Sequence, residues 1–299
     1  MSQVTSRLLA KDLKKSYGKV NAINGIDLHI DQAGVFAILG QNGAGKTSFI
    51  RCALGLESVT SGSLETMGNK PGSLSAKQQT GVILQDSDLP DSLTIKEQIQ
   101  LFASYYPNPL SVDDTIAMCE LHSFADKGYK KLSGGQKRRA QFALAIVGDP
   151  QLIFLDEPTT GLDIDARRRL WSIIREFANK GKTIVLTTHY LEEADNLADR
   201  IMVMNAGKIV ADSTPEDIHK LVKGSVVRCQ TQLSIAQLQS LSGGGSVTVS
   251  GRFSEIHTEQ VNNTLAQLLS LDPDLQDLTV SQPKLEDIFG QLSQTGGGA

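Results

Sequence analysis

One octapeptide constrains this chain more than any other stretch. Gly40-Gln41-Asn42-Gly43-Ala44-Gly45-Lys46-Thr47 follows an apolar run at 35–39 and precedes a helical pattern at 48–56, the strand–loop–helix setting in which G-x-x-x-x-G-K-[ST] binds phosphate. Glycines let such a loop curl so that successive backbone N–H groups face one anion, and the helix after it brings its positive end to the same point. Lys46 can then reach the β- and γ-phosphates of a nucleoside triphosphate, and Thr47 can offer its hydroxyl to Mg²⁺.

The surrounding pattern is that of an α/β protein. Further compact apolar runs lie at 81–85, 152–156, 183–187 and 200–204. The run before the octapeptide and the next three are each followed by turn residues and a helical pattern, as a largely parallel sheet covered on both faces requires. Residues 8–17 and 25–30 are expected to form antiparallel strands ahead of this core. Asn205-Ala206-Gly207 is expected to turn a hairpin between 201–204 and 208–211. From about 92 to 148 the pattern is almost wholly helical. Thr214 can cap a helix opened by Pro215, which places a domain boundary there. The reading is therefore a domain over 1–215 and a small α+β accessory domain over 216–299. The latter is read as βαβ-type, with strands at 226–231, 247–249 and 278–281 and helices at 255–271 and 284–292. Gly243-Gly244-Gly245 reads as a flexible break and Gly296-Gly297-Gly298-Ala299 as a disordered end.

Composition removes several function classes. The longest apolar runs are about five residues, against roughly 20 for a membrane-spanning helix. The N-terminus has no apolar h-region of a signal peptide. Cys52, Cys119 and Cys229 are far apart and in no CxxC spacing, which fits a reducing cytosol. Residues 1–215 carry 24 basic against 24 acidic side chains and the remainder 5 against 9, so no electrostatic footprint for DNA or RNA is expected. The runs Lys137-Arg138-Arg139 and Arg167-Arg168-Arg169 sit in helical patterns and read as solvated faces or local ion pairs.

A second apolar strand, Leu152-Ile153-Phe154-Leu155, ends in Asp156-Glu157-Pro158. Neighbouring strand residues point to opposite sides, so the two carboxylates are expected to have separate tasks. Asp156 can hold Mg²⁺ through its water shell; Glu157 can orient, or take a proton from, the water that attacks the γ-phosphate. His189 ends a third strand, where its imidazole can contact the γ-phosphate. Gln85 ends another, where its amide can approach Mg²⁺ and the attacking water.

Together with these loops, Leu132-Ser133-Gly134-Gly135-Gln136 resembles the ATP-binding cassette (ABC) family over about residues 7–212. The resemblance implies a P-loop NTPase of ABC type, with a mixed sheet core, an antiparallel β subdomain and a helical signature subdomain. It implies that ATP is held by Tyr17 (stacking on adenine), Gly40, Asn42, Gly43, Ala44, Gly45, Lys46, Thr47 and Ser48. Thr47, Gln85 and Asp156 would serve Mg²⁺, and Glu157, Gln85 and His189 would serve catalysis. Ser133, Gly134, Gly135 and Gln136 form the signature and Asp163 the D-loop aspartate; in the family the signature closes over the nucleotide of a facing subunit. Gln41, Ser48 and Ile164 depart from the residues common at their positions, but none removes a ligand or a catalytic group. Ser133 is expected to cap a helix starting at Gly134.

With one cassette and no membrane span, the resemblance implies separate membrane-embedded permease subunits. They would dock beside the Q-loop and the helical insertion, at about 86–106, and the partner in the dimer would be a second copy or a homologous ATPase subunit. The chain would then be cytoplasmic, peripheral on the inner face of the cell membrane. Pro283-Lys284-Leu285-Glu286-Asp287-Ile288-Phe289 and the segment from Thr187 to Ala194 resemble bacterial drug- and polyketide-export ATPases. The competing readings are an importer ATPase, a soluble ABC machine of translation or DNA repair, and a nucleotide-binding regulator without turnover. The single cassette without coiled coil or zinc hook disfavours the soluble machine, and Glu157 with His189 disfavours the regulator.

Overall fold

A computed structural model of the chain describes residues 6–85, 88–221, 224–241 and 246–281. In chain order the first compact unit contains β1 (Leu8–Tyr17), β2 (Val20–Ile30), β3 (Gly34–Leu39), α1 (Lys46–Ala53), β4 (Ser61–Thr66), α2 (Leu74–Gln78), β5 (Thr80–Ile83), α3 (Ile95–Ala103), α4 (Val112–Met118) and α5 (Gly134–Ile146). It continues with β6 (Leu152–Asp156), α6 (Ile164–Asn179), β7 (Thr183–Thr188), α7 (Leu191–Leu197), β8 (Arg200–Asn205) and β9 (Lys208–Ser213). The division into two compact units falls between Pro215 and Glu216.

The central sheet has the order β5-β6-β7-β3-β8-β9, parallel except for β9. Every residue of β6 and β7 is buried, as strands covered on both faces must be. Leu39 pairs with Thr188 and Asp156 with Thr187, so β3, β6 and β7 end level, and their carboxyl ends release three loops into one place. The antiparallel sheet β2-β1-β4 covers α1, and Phe36, Phe49 and Phe154 lie in the core between them.

In this first unit two strands differ from expectation. β2 begins at Val20, not at Gly25, because Gly25 at φ +80 is a kink inside a strand rather than its start. β4 was not expected at all: Ser-Gly-Ser-Leu-Glu-Thr buries only Leu64 and Thr66. It is held by its ladder to β1, where Gly62 passes so close that a Cβ would lie 2.2 Å from Asp12 O.

The second unit follows α8 (Pro215–Leu221), which crosses the boundary, with β10 (Ser225–Gln230), α9 (Ile235–Leu241), β11 (Val247–Ser250), β12 (Phe253–Thr258), α10 (Val261–Leu271) and β13 (Gln276–Ser281). Its sheet, β11-β12-β10-β13, is antiparallel throughout, two split β-α-β units rather than a parallel pair. The helix expected over 255–271 begins only at Val261. Residues 253–258 alternate between partly exposed and buried, the period of a strand, and pair with β10. Val227, Cys229, Ile256, Leu238 and Leu268 form a core of their own. The break at 243–245, the helix at 284–292 with the family-like ending, and the terminal glycines lie outside the described residues.

Candidate active site

The loop between β3 and α1 is shaped by what its glycines exclude. A Cβ on Gly40 would lie 2.6 Å from Met204 O, and one on Gly45, at φ +105, 2.1 Å from Ala22 O. Gly45 is also the N-cap of α1 and offers no side chain to cap it, so the first-turn N–H groups are left to an anion. Lys46 is buried, and its ammonium folds back on the loop, donating to Gly40 O at 2.8 Å and Gln41 O at 3.2 Å. Ala44 anchors the loop, its N–H on Gln41 O and its carbonyl taking the N–H of Gly207.

At the end of β6 the two carboxylates part as expected. Asp156 is 1% exposed. Its Oδ1 accepts from Thr187 Oγ1 at 2.5 Å and Thr47 Oγ1 at 3.3 Å, while Oδ2 is buried with no hydrogen-bond partner among the described residues. Glu157 turns away because its backbone is left-handed, φ +48, a conformation costing a non-glycine residue about 1–3 kcal/mol. Its peptide is gripped on both sides. The N–H donates to Thr187 O at 3.2 Å and Thr187 Oγ1 at 3.0 Å, and the carbonyl accepts from Arg138 Nη2 at 3.0 Å. Its carboxylate stands 3.5 Å from Lys46 Nζ and 3.2 Å from His189 Nδ1, and accepts from Thr160 Oγ1 at 3.1 Å. The imidazole of His189 packs on the Tyr190 ring at 3.9 Å, and its Nδ1 makes no hydrogen bond of good geometry to Glu157.

A cleft of about 780 Å³ collects Tyr17, Asn42, Gly43, Gly45, Lys46, Thr47, Ser48, Gln85, Glu157 and His189. Of the expected loop contacts, Gly40 and Ala44 support it from behind. Tyr17 sits on its rim, its hydroxyl donating to the Glu57 carboxylate and its ring under Lys15 Nζ at 4.7 Å. Burial, then the Glu57 carboxylate, hold the Tyr17 hydroxyl above its ordinary pKa, and the Tyr17 hydrogen bond pulls Glu57 down.

Ser133, Gly134, Gly135, Gln136 and Asp163 line no part of this cleft. Ser133 caps α5 as expected, in a reciprocal box with Gln136: Ser133 Oγ accepts from Gln136 N and Gln136 Oε1 from Ser133 N. Asp163 caps α6, accepting from Ala166 N at 2.8 Å. The two helix starts pack closely, since a Cβ on Gly135 would lie 2.7 Å from Ala166 Cβ.

Residues 23–160 match the family described as ABC transporter, and 128–195 also match one described as AAA domain, putative AbiEii toxin, Type IV TA system. The chain is similar to the Nod factor export ATP-binding protein I of Rhizobium johnstonii, 33% identical over 293 residues, 94% of this chain and 93% of that protein. It is 36% identical over 210 residues to the protein of the same name from Paraburkholderia xenovorans, 68% of this chain and 69% of that one. This chain belongs to the ABC transporter family, as an ATP-binding subunit. Among solved structures of this ABC type it is similar to cbiO1 from Clostridium perfringens, part of the ABC transporter complex cbiONQ (TM-score 0.65, 25% identity, 72% of this chain and 91% of that chain). It is likewise similar to an ATP binding subunit of an ABC transporter (TM-score 0.64, 27% identity, 71% and 92%).

Sequence reasoning missed two groups in this ABC subunit. Thr187 reads in the sequence as a strand end and the start of the exporter-like segment, with no role at the site, yet its one hydroxyl serves both carboxylate residues. Arg138 was read with Lys137 and Arg139 as a solvated face or local ion pair. Arg139 does pair with Glu120 and Arg167 with Glu192, but Arg138 is only 8% exposed. The available signal was its position: it shares a helix face with Gln141, Phe142 and Ala145, all buried.

Proposed function

We propose that this chain is the ATPase subunit of a multi-subunit ABC exporter, in which two such subunits close over two ATP molecules and so drive separate membrane-embedded permease subunits. The observation that carries the reading is a division of labour. One cleft collects Lys46, Thr47, Gln85, Glu157 and His189, with Asp156 buried outside its lining but accepting from Thr47, while the capped glycine start of α5 lies apart from it. A helix start with free N–H groups is an anion site; outside the chain's own cleft, it is available to the nucleotide of a second copy or a homologous subunit.

Within the cleft, adenine stacks on the ring face of Tyr17 opposite Lys15. The loop N–H groups and Lys46 take the β- and γ-phosphates, the ammonium exchanging the carbonyls of Gly40 and Gln41 for phosphate oxygens. Thr47, Asp156 and Gln85 are the side chains suited to Mg²⁺. Asp156 Oδ2, without a hydrogen-bond partner among the described residues, on a carboxylate whose Oδ1 meets the Thr47 hydroxyl, fits a hard cation that takes few protein ligands and relies on phosphates and water for the rest. Mg²⁺ there would neutralise charge on the phosphates. Glu157 accepts a proton from the attacking water, whose oxygen bonds to the γ-phosphorus as the bond to the bridging oxygen breaks, releasing ADP and phosphate. His189 donates to the γ-phosphate, and Gln85 helps orient the water.

The first unit is thus the nucleotide-binding domain and the second an accessory domain. Two adjoining hollows of about 400 and 350 Å³ share Thr80, Val82 and Tyr106; Leu56, which lines the second, is exposed, as are Leu101 and Tyr105, the sequence neighbours of the lining residues Phe102 and Tyr106. Here the permease docks, holding at the inner face of the cell membrane a chain whose described helices include none long and apolar enough to cross it. The export direction draws on the likeness to the Nod factor export proteins.

The test is Glu157→Gln. It should bind ATP, hydrolyse it far more slowly than wild type, and elute with Mg²⁺-ATP at twice the 32.2 kDa chain mass, because closure persists when water is not activated. A variant that remains monomeric at saturating ATP defeats the sandwich; one that hydrolyses at the wild-type rate defeats the assigned chemistry.

A further inference from the structure

The guanidinium of Arg138 joins α5 to the catalytic segments. Its Nε donates to Pro158 O at 2.9 Å and its Nη2 to Glu157 O at 3.0 Å, a fork on two successive carbonyls. Its Nη1 donates to Leu84 O at 3.3 Å, the carbonyl just before Gln85, and to Gln141 Oε1 at 2.9 Å. Gln141 is itself fixed, donating to Tyr129 Oη at 2.6 Å. Only arginine offers a planar fork that can meet neighbouring carbonyls this way; an ammonium on a flexible stem cannot.

Glu157 is where such a grip has consequences. Its left-handed backbone is a conformation that the surrounding structure has to impose, and that backbone aims the carboxylate into the cleft. Thr187 holds the N–H side from β7, while Arg138 holds the carbonyl side from α5. Arg138 lies five residues from Ser133, about 7–8 Å along a continuous helix. A displacement of the helix start is therefore carried to the Glu157 carbonyl as a rigid motion, and the same guanidinium passes it to the peptide before Gln85.

We propose that Arg138 is a positioning residue for ATP hydrolysis, one that makes the aim of Glu157 depend on the placement of the helix headed by Ser133. Phosphate engaged at that helix start and water activated in the cleft are thereby tied through one buried side chain. The inference rests on the roles proposed above for Glu157 and the α5 start.

The test is a double-mutant cycle on the full-length chain. Arg138→Gln should lower kcat about tenfold or more while ATP affinity stays within about twofold, since Arg138 does not line the cleft. Arg138→Lys, which keeps the charge but not the fork, should fall between and carries the test if the glutamine variant does not fold. In the Glu157→Gln background the same substitutions should change the residual rate by less than about twofold, because their route of action is already gone. Fluorescence of Trp171, the chain's only tryptophan, checks that each variant is folded. A kcat loss below about threefold in the wild-type background, or an equal fractional loss in both backgrounds, overturns the proposal. Wild-type hydrolysis by Glu157→Gln alone would instead overturn the assignment beneath it.

Discussion

Replacing Thr187 by valine isolates the contact that joins the two carboxylate residues. Thr187 is fully buried, and valine has nearly its shape, so no cavity opens and the change is one of hydrogen bonding. The hydroxyl donates to Asp156 Oδ1 at 2.5 Å and accepts from Glu157 N at 3.0 Å. The first bond is charge-assisted and worth about 1.5–3 kcal/mol. The second costs less to lose, about 0.5 kcal/mol, because Glu157 N keeps Thr187 O at 3.2 Å. The expected loss is about 2–3.5 kcal/mol, with ATPase activity falling as Asp156 loses its tether. Trp171 belongs to the first unit, so its fluorescence follows unfolding of the unit that carries the site. At a urea slope of about 2–3 kcal/mol/M the midpoint should drop by about 1 M. Thr187→Ser keeps the hydroxyl and should lose only the methyl contribution, about 1 kcal/mol. A Thr187→Val midpoint within about 0.2 M of wild type at unchanged slope refutes the reasoning.

Three other substitutions probe different parts of the site. Lys46→Ala should weaken ATP binding about ten- to a hundredfold; unchanged affinity in a titration would remove the phosphate role of the loop. Gly135→Ala gains helix propensity worth about 1 kcal/mol. It also forces a Cβ to 2.7 Å from Ala166 Cβ, and overpacking of about 1–3 kcal/mol should win, lowering the thermal midpoint; a raised midpoint would show that α5 and α6 part freely. Glu193→Gln bears on pH. Burial, partly offset by the hydrogen bond that Trp171 Nε1 donates at 3.2 Å, holds the Glu193 carboxyl above its ordinary 4.5. The folded chain therefore binds this proton more tightly than the unfolded one. The stability it contributes is full below 4.5 and lost as pH rises through the folded pKa. Glutamine does not titrate, so the variant's stability relative to wild type should rise with pH over that range in urea titrations; a constant difference would contradict the shift.

The elements read correctly from sequence share one property: their local chemistry and their tertiary surroundings ask for the same residues. The strands at 35–39, 152–156 and 183–187 are buried on both faces and therefore mostly apolar, with polar side chains only at their ends. The loop of Gly40 to Thr47 needs glycine wherever the backbone meets Met204 O or Ala22 O. Ser133 is a cap whichever helix follows it. The misread elements lack that agreement. β4 carries almost no apolar signal because its ladder to β1 holds it. Residues 255–258 sit next to a real helix and blur into its pattern. Arg138 carries a charge, the strongest local sign of exposure, and is buried because three backbone carbonyls and Gln141 receive its donors.

The family, the phosphate loop and the types of group needed for hydrolysis are properties of short stretches, so the order of residues alone determined them. Which of those groups meet in one cleft depends on β5, β6, β7 and β3 ending side by side, and distant strands become neighbours only by folding. The separation of Ser133 and Asp163 from that cleft, the left-handed turn at Glu157 and the grip of Thr187 and Arg138 on its peptide were decided there too. Each depends on atoms far apart in the chain being held within hydrogen-bonding distance.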